Sequence, residues 1–401
     1  MFAIVHILES LGIGGAQSMA FELYHAIKTY YPQYPQQMIY TQKRRIDQEF
    51  ISSYNVPCEF IKNNNSILQQ ISKHKKVVVL FHKLASSNHK ILDLIKDKTR
   101  AKTMVINHTL YRSSAWKNVK SADVMVSVSK HMLQLLNKWY PRINKIQIYN
   151  SVSVDRYDSI SPRKNNKKDI FLTGRINRIC SWKHSHGWIE WCKNVKLKKK
   201  MIHEYIGGGI GSNNRSHKKM YKSRNVVSMM GNISNFSEKV SIIKDWDIFL
   251  YETNKDEGIS MAILESLACG VPVVCSNHFG NKEIIEEGIN GYVFRDRNHA
   301  QDILRDLIKH PKKLEELKRT TKQHFIDKLD LKYTSGQYIE EMEKLFKKEI
   351  KKKPTKKVLK TKKIPKKKKK PVKQSLREKI NNVAETQPNN KFTIITSIYN
   401  K

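Results

Sequence analysis

The stretch DEGISMAILESLACGVPVV, residues 256–274, decides how this chain is to be read. Met261, Ile263, Leu264, Leu267 and Ala268 follow a helical period, Ser260 stands where an N-cap belongs, and Gly270 with Pro272 beyond it closes the segment. The run VPVVCS that follows has the composition of a buried strand. Glu257 and Glu265 lie eight positions apart, about 12 Å if all of it were helical. A helix N-terminus offers unpaired N–H groups to phosphate. The spacing therefore suits an extended ligand of nucleotide-sugar length, with Glu257 facing a sugar, a diphosphate at the helix start, and Glu265 accepting from ribose hydroxyls. Spacing alone equally allows Glu257 to complement the helix dipole and Glu265 to be solvated. The apolar neighbours of Glu265 shift the balance, because an acid in that setting needs a partner.

Outward from this segment, β-rich runs alternate with helical patterns. FAIVHIL, KVVVLFH, KTMVINH, DVMVSVS and KIQIY are separated by helical stretches such as AQSMAFELYHAI and KHMLQLLNKW. Polar SVDRYDSISPRKNNKKD interrupts the series, which restarts with IFLTG, MIHEYIG, NVVSMMG, WDIFLY and VPVVCS. The expected architecture is α/β, two Rossmann-like doubly wound parallel-sheet domains facing a cleft at their strand ends. Residues 1–160 form the first domain and 165–330 the second, and an amphipathic helix over 331–350 packs back on the first. Residues 351–390 are a Lys-rich linker, and 391–401 begin a strand.

The 401 residues carry a formal net charge of +39. Residues 351–373 hold fourteen Lys and no acid, which leaves 39 − 14 = +25 elsewhere, so the folded part should itself attract phosphate-bearing partners. The five cysteines make no CxxC pair and read as reduced thiols. The start MFAIVHILESLGIGG lacks a basic flank and carries Glu9, and no run reaches the roughly eighteen apolar residues of a membrane span. The expected location is cytoplasmic, peripheral at an anionic membrane surface if the lysine tract docks there.

The segment DEGISMAILESLACGVPVVCSNHFGNKEIIEEGINGYVF, residues 256–294, resembles the donor-site signature of glycosyltransferase family 4, retaining enzymes of the GT-B fold. GIGGAQ, VINHT, SADVMVSVSKHM, YNSVSVDRY, LTGRINRICSWKH and DWDIFLY follow in family order over residues 1 to about 350. The resemblance implies a sugar moved from a nucleotide diphosphate, a UDP- or GDP-sugar, to a hydroxyl of a glycan, lipid or protein, with no further cofactor. It implies Glu257 on the transferred sugar, Glu265 on the ribose, and the amides of Gly258, Ile259 and Ser260 on the diphosphate. Arg175 and Lys183, beside Gly174, would clamp the phosphates as charge develops on them. Gly14 and Gly15 would let backbone approach the donor, and His108 would lie near the reacting sugar. The leaving phosphate would help to deprotonate the acceptor on the same face, so that configuration is retained without a glycosidase-type carboxylate pair.

The sequence departs from the family pattern in three places: Ser260 replaces the usual glycine, Asn150-Ser151 replaces Asn-Gly, and extra residues separate Arg175 from Lys183. Asp245 and Asp247 in DWD imitate a metal-binding DxD but directly precede a buried strand, and the expectation is no metal site. KFTIITSIYNK at the end resembles the opening strand of a family-2, GT-A type transferase domain. Two alternatives keep the fold, a nucleotide-sugar epimerase and a binding protein that docks through its lysines. No aromatic residue interleaves 351–373 to stack bases, so the tract ranks as tether first, membrane-surface contact second and nucleic-acid contact third.

Overall fold

The computed structural model describes residues 1–43, 46–83, 89–108, 122–163, 169–178, 183, 187–208, 227–253 and 258–350. Glu257, Cys180, the lysine tract and the KFTIITSIYNK segment lie outside the described residues.

Two parallel sheets form within one compact unit, residues 1–352. The first has seven strands in the order β3-β2-β1-β4-β5-β6-β7. These are β1 Ala3–Leu8, β2 Gln36–Tyr40, β3 Cys58–Phe60, β4 Val77–His82, β5 Lys102–Asn107, β6 Val124–Ser127 and β7 Lys145–Gln147. The second has six in the order β10-β9-β8-β11-β12-β13. These are β8 Ile170–Ile176, β9 Lys200–Ile206, β10 Val227–Gly231, β11 Ile248–Tyr251, β12 Val273–Ser276 and β13 Gly291–Phe294. β1, β4, β6, β11 and β12 are buried at every position, as helices on both faces of a parallel sheet require.

Each sheet winds outward in both directions from its first strand. The order therefore reverses between β1 and β4 in one lobe and between β8 and β11 in the other. Ligands of doubly wound sheets bind at such reversals, outside the carboxyl ends of the strands. This is the GT-B architecture.

The lobes share an apolar core that runs from β1 to the Met261–Ala268 helix, and a second core of Phe171, Trp188, Leu304 and Leu317 lies within the second lobe. The chain returns to the first lobe at Asp330. The Leu331 amide donates to Val152 (3.1 Å), the Val154 amide donates to Asp330 (2.9 Å), and the Ser151 hydroxyl donates to the Leu329 carbonyl. The Leu331–Ile350 helix then sets Phe346 against Phe2, ring centroids 5.3 Å apart, while the Tyr34 hydroxyl donates to Glu343 at 2.7 Å.

Polar contacts also cross between the lobes. Glu283 accepts from the amides of Lys130 and His131, both at 2.7 Å, and so caps the Lys130–Trp139 helix of the first lobe from the second. The Ser234 hydroxyl donates to Asp47 at 2.9 Å.

Candidate active site

β1 runs into a loop whose Gly14 precedes the Gly15–Tyr30 helix. The Met261–Ala268 helix of the second lobe starts directly opposite: a side chain at Gly15 would meet Met261 Cγ at 3.2 Å, and one at Gly14 would come within 3.9 Å of the Arg178 guanidinium. Two helix N-termini, one from each lobe, thus face the same place, and both carry partial positive charge.

The second helix follows the sequence reading closely. Ser260 occupies the N-cap position and Gly270 takes the left-handed conformation at φ +74°, which glycine adopts without a Cβ penalty. The expected hydroxyl cap is corrected: Ser260 makes no side-chain cap bond, and its amide donates to Asn281 Oδ1 at 3.1 Å. Asn281 is fully buried, and its Nδ2 has no hydrogen-bond partner. This donor at the helix start was not singled out from the sequence, where Asn281 sits in FGNKE without periodicity to mark it. Gly258 and Ile259 are buried, and Gly258 abuts Val128 and Met132 of the first lobe, leaving 3.1 Å for a Cβ.

Glu265 is 3% exposed and accepts from Lys239 Nζ at 2.8 Å, so the reading of it as a solvated position fails. Lys239, on the Phe236–Ile243 helix, is the partner that the apolar surroundings demanded. Burial alone would lower the lysine's pKa, yet Glu265, with Tyr54 and Glu22 behind it, raises it instead. Glu22 of the first lobe belongs to the same cluster. It accepts from Arg156 at 2.9 Å, and burial raises its pKa against that guanidinium's pull.

Arg175, at the end of β8, is fully buried. Its guanidinium lies 4.9 Å from the centroid of Tyr251, 5.4 Å from Tyr205 and 5.5 Å from Trp188. Nε donates to Asn177 (2.8 Å), and one terminal nitrogen donates to the carbonyls of Glu252 (2.9 Å) and Lys183 (3.1 Å). The other terminal nitrogen has no partner. The structure therefore brings Arg175 and Lys183 together, through a carbonyl. Gly174 has a packing reason: a Cβ there would fall 2.0 Å from the Trp246 indole.

His108 follows β5 at the rim of the first sheet, half-buried, its Nε2 enclosed and unpartnered. Burial, with the Lys83 charge adding to it, lowers its pKa to about 4. Asp245 and Asp247 lie at the opposite, N-terminal end of β11. Asp245 pairs with Arg163 at 2.7 Å, and Asp247 accepts from the Leu172 amide (2.9 Å) and Lys318 (3.1 Å). No cluster of His, Cys, Asp and Glu suited to a metal ion occurs among the described residues.

Residues 155–324 match the family model of Glycosyl transferases group 1. An uncharacterized glycosyltransferase of Methanocaldococcus jannaschii is 27% identical over 198 residues, 47% of this chain and 50% of that protein. Sucrose synthase of Solanum tuberosum is 24% identical over 226 residues, 52% of this chain and 27% of that protein. The chain thus spans half or less of the length of these curated relatives. Among solved structures, Anabaena HepE in complex with UDP and glucose superposes with a TM-score of 0.71 at 14% identity, covering 86% of this chain and 100% of that one. Sucrose-phosphate synthase of Thermosynechococcus elongatus gives 0.68 at 13% identity, covering 87% of this chain and 100% of that one.

Proposed function

We propose that this chain is a nucleotide-sugar-dependent glycosyltransferase of retaining, metal-independent type, holding the donor diphosphate where the Gly14–Gly15 loop meets the start of the Met261–Ala268 helix. The observation that carries this reading is the convergence there of two helix N-termini with the unpartnered Asn281 amide. HepE has been solved with UDP-glucose, and a UDP-sugar is the donor proposed here, transferred to a hydroxyl of a glycan, lipid or protein.

Within this reading Glu257 contacts the transferred sugar, and Ile259 and Ser260 offer amides to the phosphates. The free terminal nitrogen of Arg175, with Lys183 beside it, stabilises charge that grows on the leaving group. Glu265 reaches the ribose only by sharing its carboxylate with Lys239. The four described cysteines are free, which supports a reducing compartment. No described helix is long and apolar enough to cross a membrane, and contact with an anionic surface is assigned to residues 351–373.

Thermal shift against UDP, GDP, ADP and their sugars, followed by product analysis with a labelled donor, tests the proposal. A uridine ligand should raise the midpoint, and Glu257→Ala should abolish transfer while leaving the fold intact. Full activity in Glu257→Ala would overturn the site, and an altered free sugar without transfer would indicate an epimerase instead.

A further inference from the structure

Arg175 is a buried cation held by neutral groups. Among the described residues its acceptors are the Asn177 amide oxygen and the carbonyls of Glu252 and Lys183, and one guanidinium nitrogen is enclosed and bonds to nothing. A charge enclosed in this way is costly unless an opposite charge pairs with it. The carboxylate best placed to do so belongs to Glu252, whose own carbonyl lies 2.9 Å from the guanidinium. A glutamate side chain hinged there is long enough to turn its carboxylate onto Arg175.

Arg297 holds that carboxylate elsewhere. Its Nε donates to Glu252 Oε1 at 3.2 Å and its Nη2 to Oε2 at 3.1 Å, a two-bond fork that fixes direction as well as distance. The Glu252 side chain is 14% exposed and that of Arg297 28%, so solvent screens the pair incompletely. Arg297 opens the Arg297–Lys309 helix, whose first turn carries no acid. A cation there opposes the helix dipole, so local helix chemistry disfavours it. The guanidinium is seated against Gly187, at φ +77°, where a Cβ would come 3.2 Å from Nη1. Burial raises the pKa of Cys192, and the charges of Arg175, Glu252 and Arg297 all act on that thiol, so the three lie around one enclosure.

We propose that Arg297 is a positioning residue that keeps the Glu252 carboxylate off Arg175, so that the Arg175 guanidinium stays uncompensated and free to pair with a phosphate of the donor. Arg297 acts through Glu252 and touches no donor atom. That the anion is a donor diphosphate rests on the proposed glycosyltransferase function.

Isothermal titration of the full-length chain with inorganic pyrophosphate and with UDP, over Arg297→Gln, Glu252→Gln and the double variant, tests this. Arg297→Gln should weaken binding roughly ten- to a hundred-fold, the worth of a hydrogen bond to a charged group. Glu252→Gln and the double variant should both bind close to wild type, because no carboxylate is left to restrain. A double variant as weak as Arg297→Gln would mean that Arg297 meets the ligand itself or only supports its helix, and would overturn the proposal. A Glu252→Gln that gains what Arg297→Gln loses would mean a field effect acting through space, and would overturn it too. A crystal structure of ligand-free Arg297→Gln should show the Glu252 carboxylate on the Arg175 guanidinium, and a carboxylate that stays away refutes the restraint. If Arg297→Gln does not fold, Arg297→Met, which keeps the stem beside Gly187, carries the same expectations. A wild-type chain that binds neither ligand, or binds them no better than Arg175→Gln does, would count against the proposed function, while the crystal structure still judges the restraint of Glu252 on its own.

Discussion

Replacing Lys239 with methionine removes the positive member of a buried pair while keeping most of its volume. At 2.8 Å, with both side chains almost wholly enclosed, the attraction is about 6 kcal/mol at an effective dielectric constant of 20. Most of that offsets desolvation, so the pair as a whole adds little, but an unpaired Glu265 would remain in an apolar setting with Glu22 nearby. Breaking such a pair from one side costs about 3–5 kcal/mol. At roughly 2–4 °C per kcal/mol for domains of 150–250 residues, this is a Tm loss on the order of 10 °C. Lys239→Met/Glu265→Leu should recover most of the loss, because no charge is left stranded. The assay is a urea-unfolding double-mutant cycle over Lys239→Met, Glu265→Leu and the double variant. A cost below about 1 kcal/mol for Lys239→Met, or single-variant costs that simply add, would refute the reasoning.

Acid should weaken the fold earlier than carboxylate chemistry alone predicts. His6 is lowered to about 4 and His203 to about 3, both mainly by burial, so below about pH 6.5 the unfolded chain binds protons that the folded one refuses. Stability should be level above pH 7 and fall from 6.5 toward 4 by about 1.4 kcal/mol per pH unit for each such histidine; urea midpoints that stay constant from pH 8 to 5 would contradict this. Gly174→Ala should cost about 3 kcal/mol, because a Cβ cannot share space with the Trp246 indole, which is itself held by Glu204 at 2.7 Å; tryptophan fluorescence during urea unfolding reports it. Glu283→Ala should cost about 1–2 kcal/mol by taking the acceptor from the first two amides of the Lys130–Trp139 helix, which keeps its Ser129 cap, and the urea midpoint measures it.

Much of this architecture is legible in the sequence, because parallel strands buried on both faces read as continuous apolar runs. VVVLFH and TMVIN announce themselves in this way. QQMIY, which is β2, and CEF, which is β3, do not: they lie toward one edge of the sheet, are only partly buried, and are short. At the candidate site, the helix start at Ser260 and the left-handed Gly270 follow from local chemistry and can be read directly. Lys239 and Asn281 cannot, because each gains its role from a neighbour 26 and 21 residues away. His6 and His82, whose ring nitrogens lie 3.0 Å apart, meet only through the register of β1 against β4, which no single segment encodes.

Glu283 grips the two amides at the head of a first-lobe helix from the second lobe, one carboxylate oxygen on each. A two-pronged grip resists sliding in either direction but tolerates swivelling about itself. Any rocking of the halves that admits a bulky guest while sparing this contact must therefore turn on an axis passing close to Glu283. The entrance would gape widest at points far from that pivot, and a guest would come in from the side remote from it.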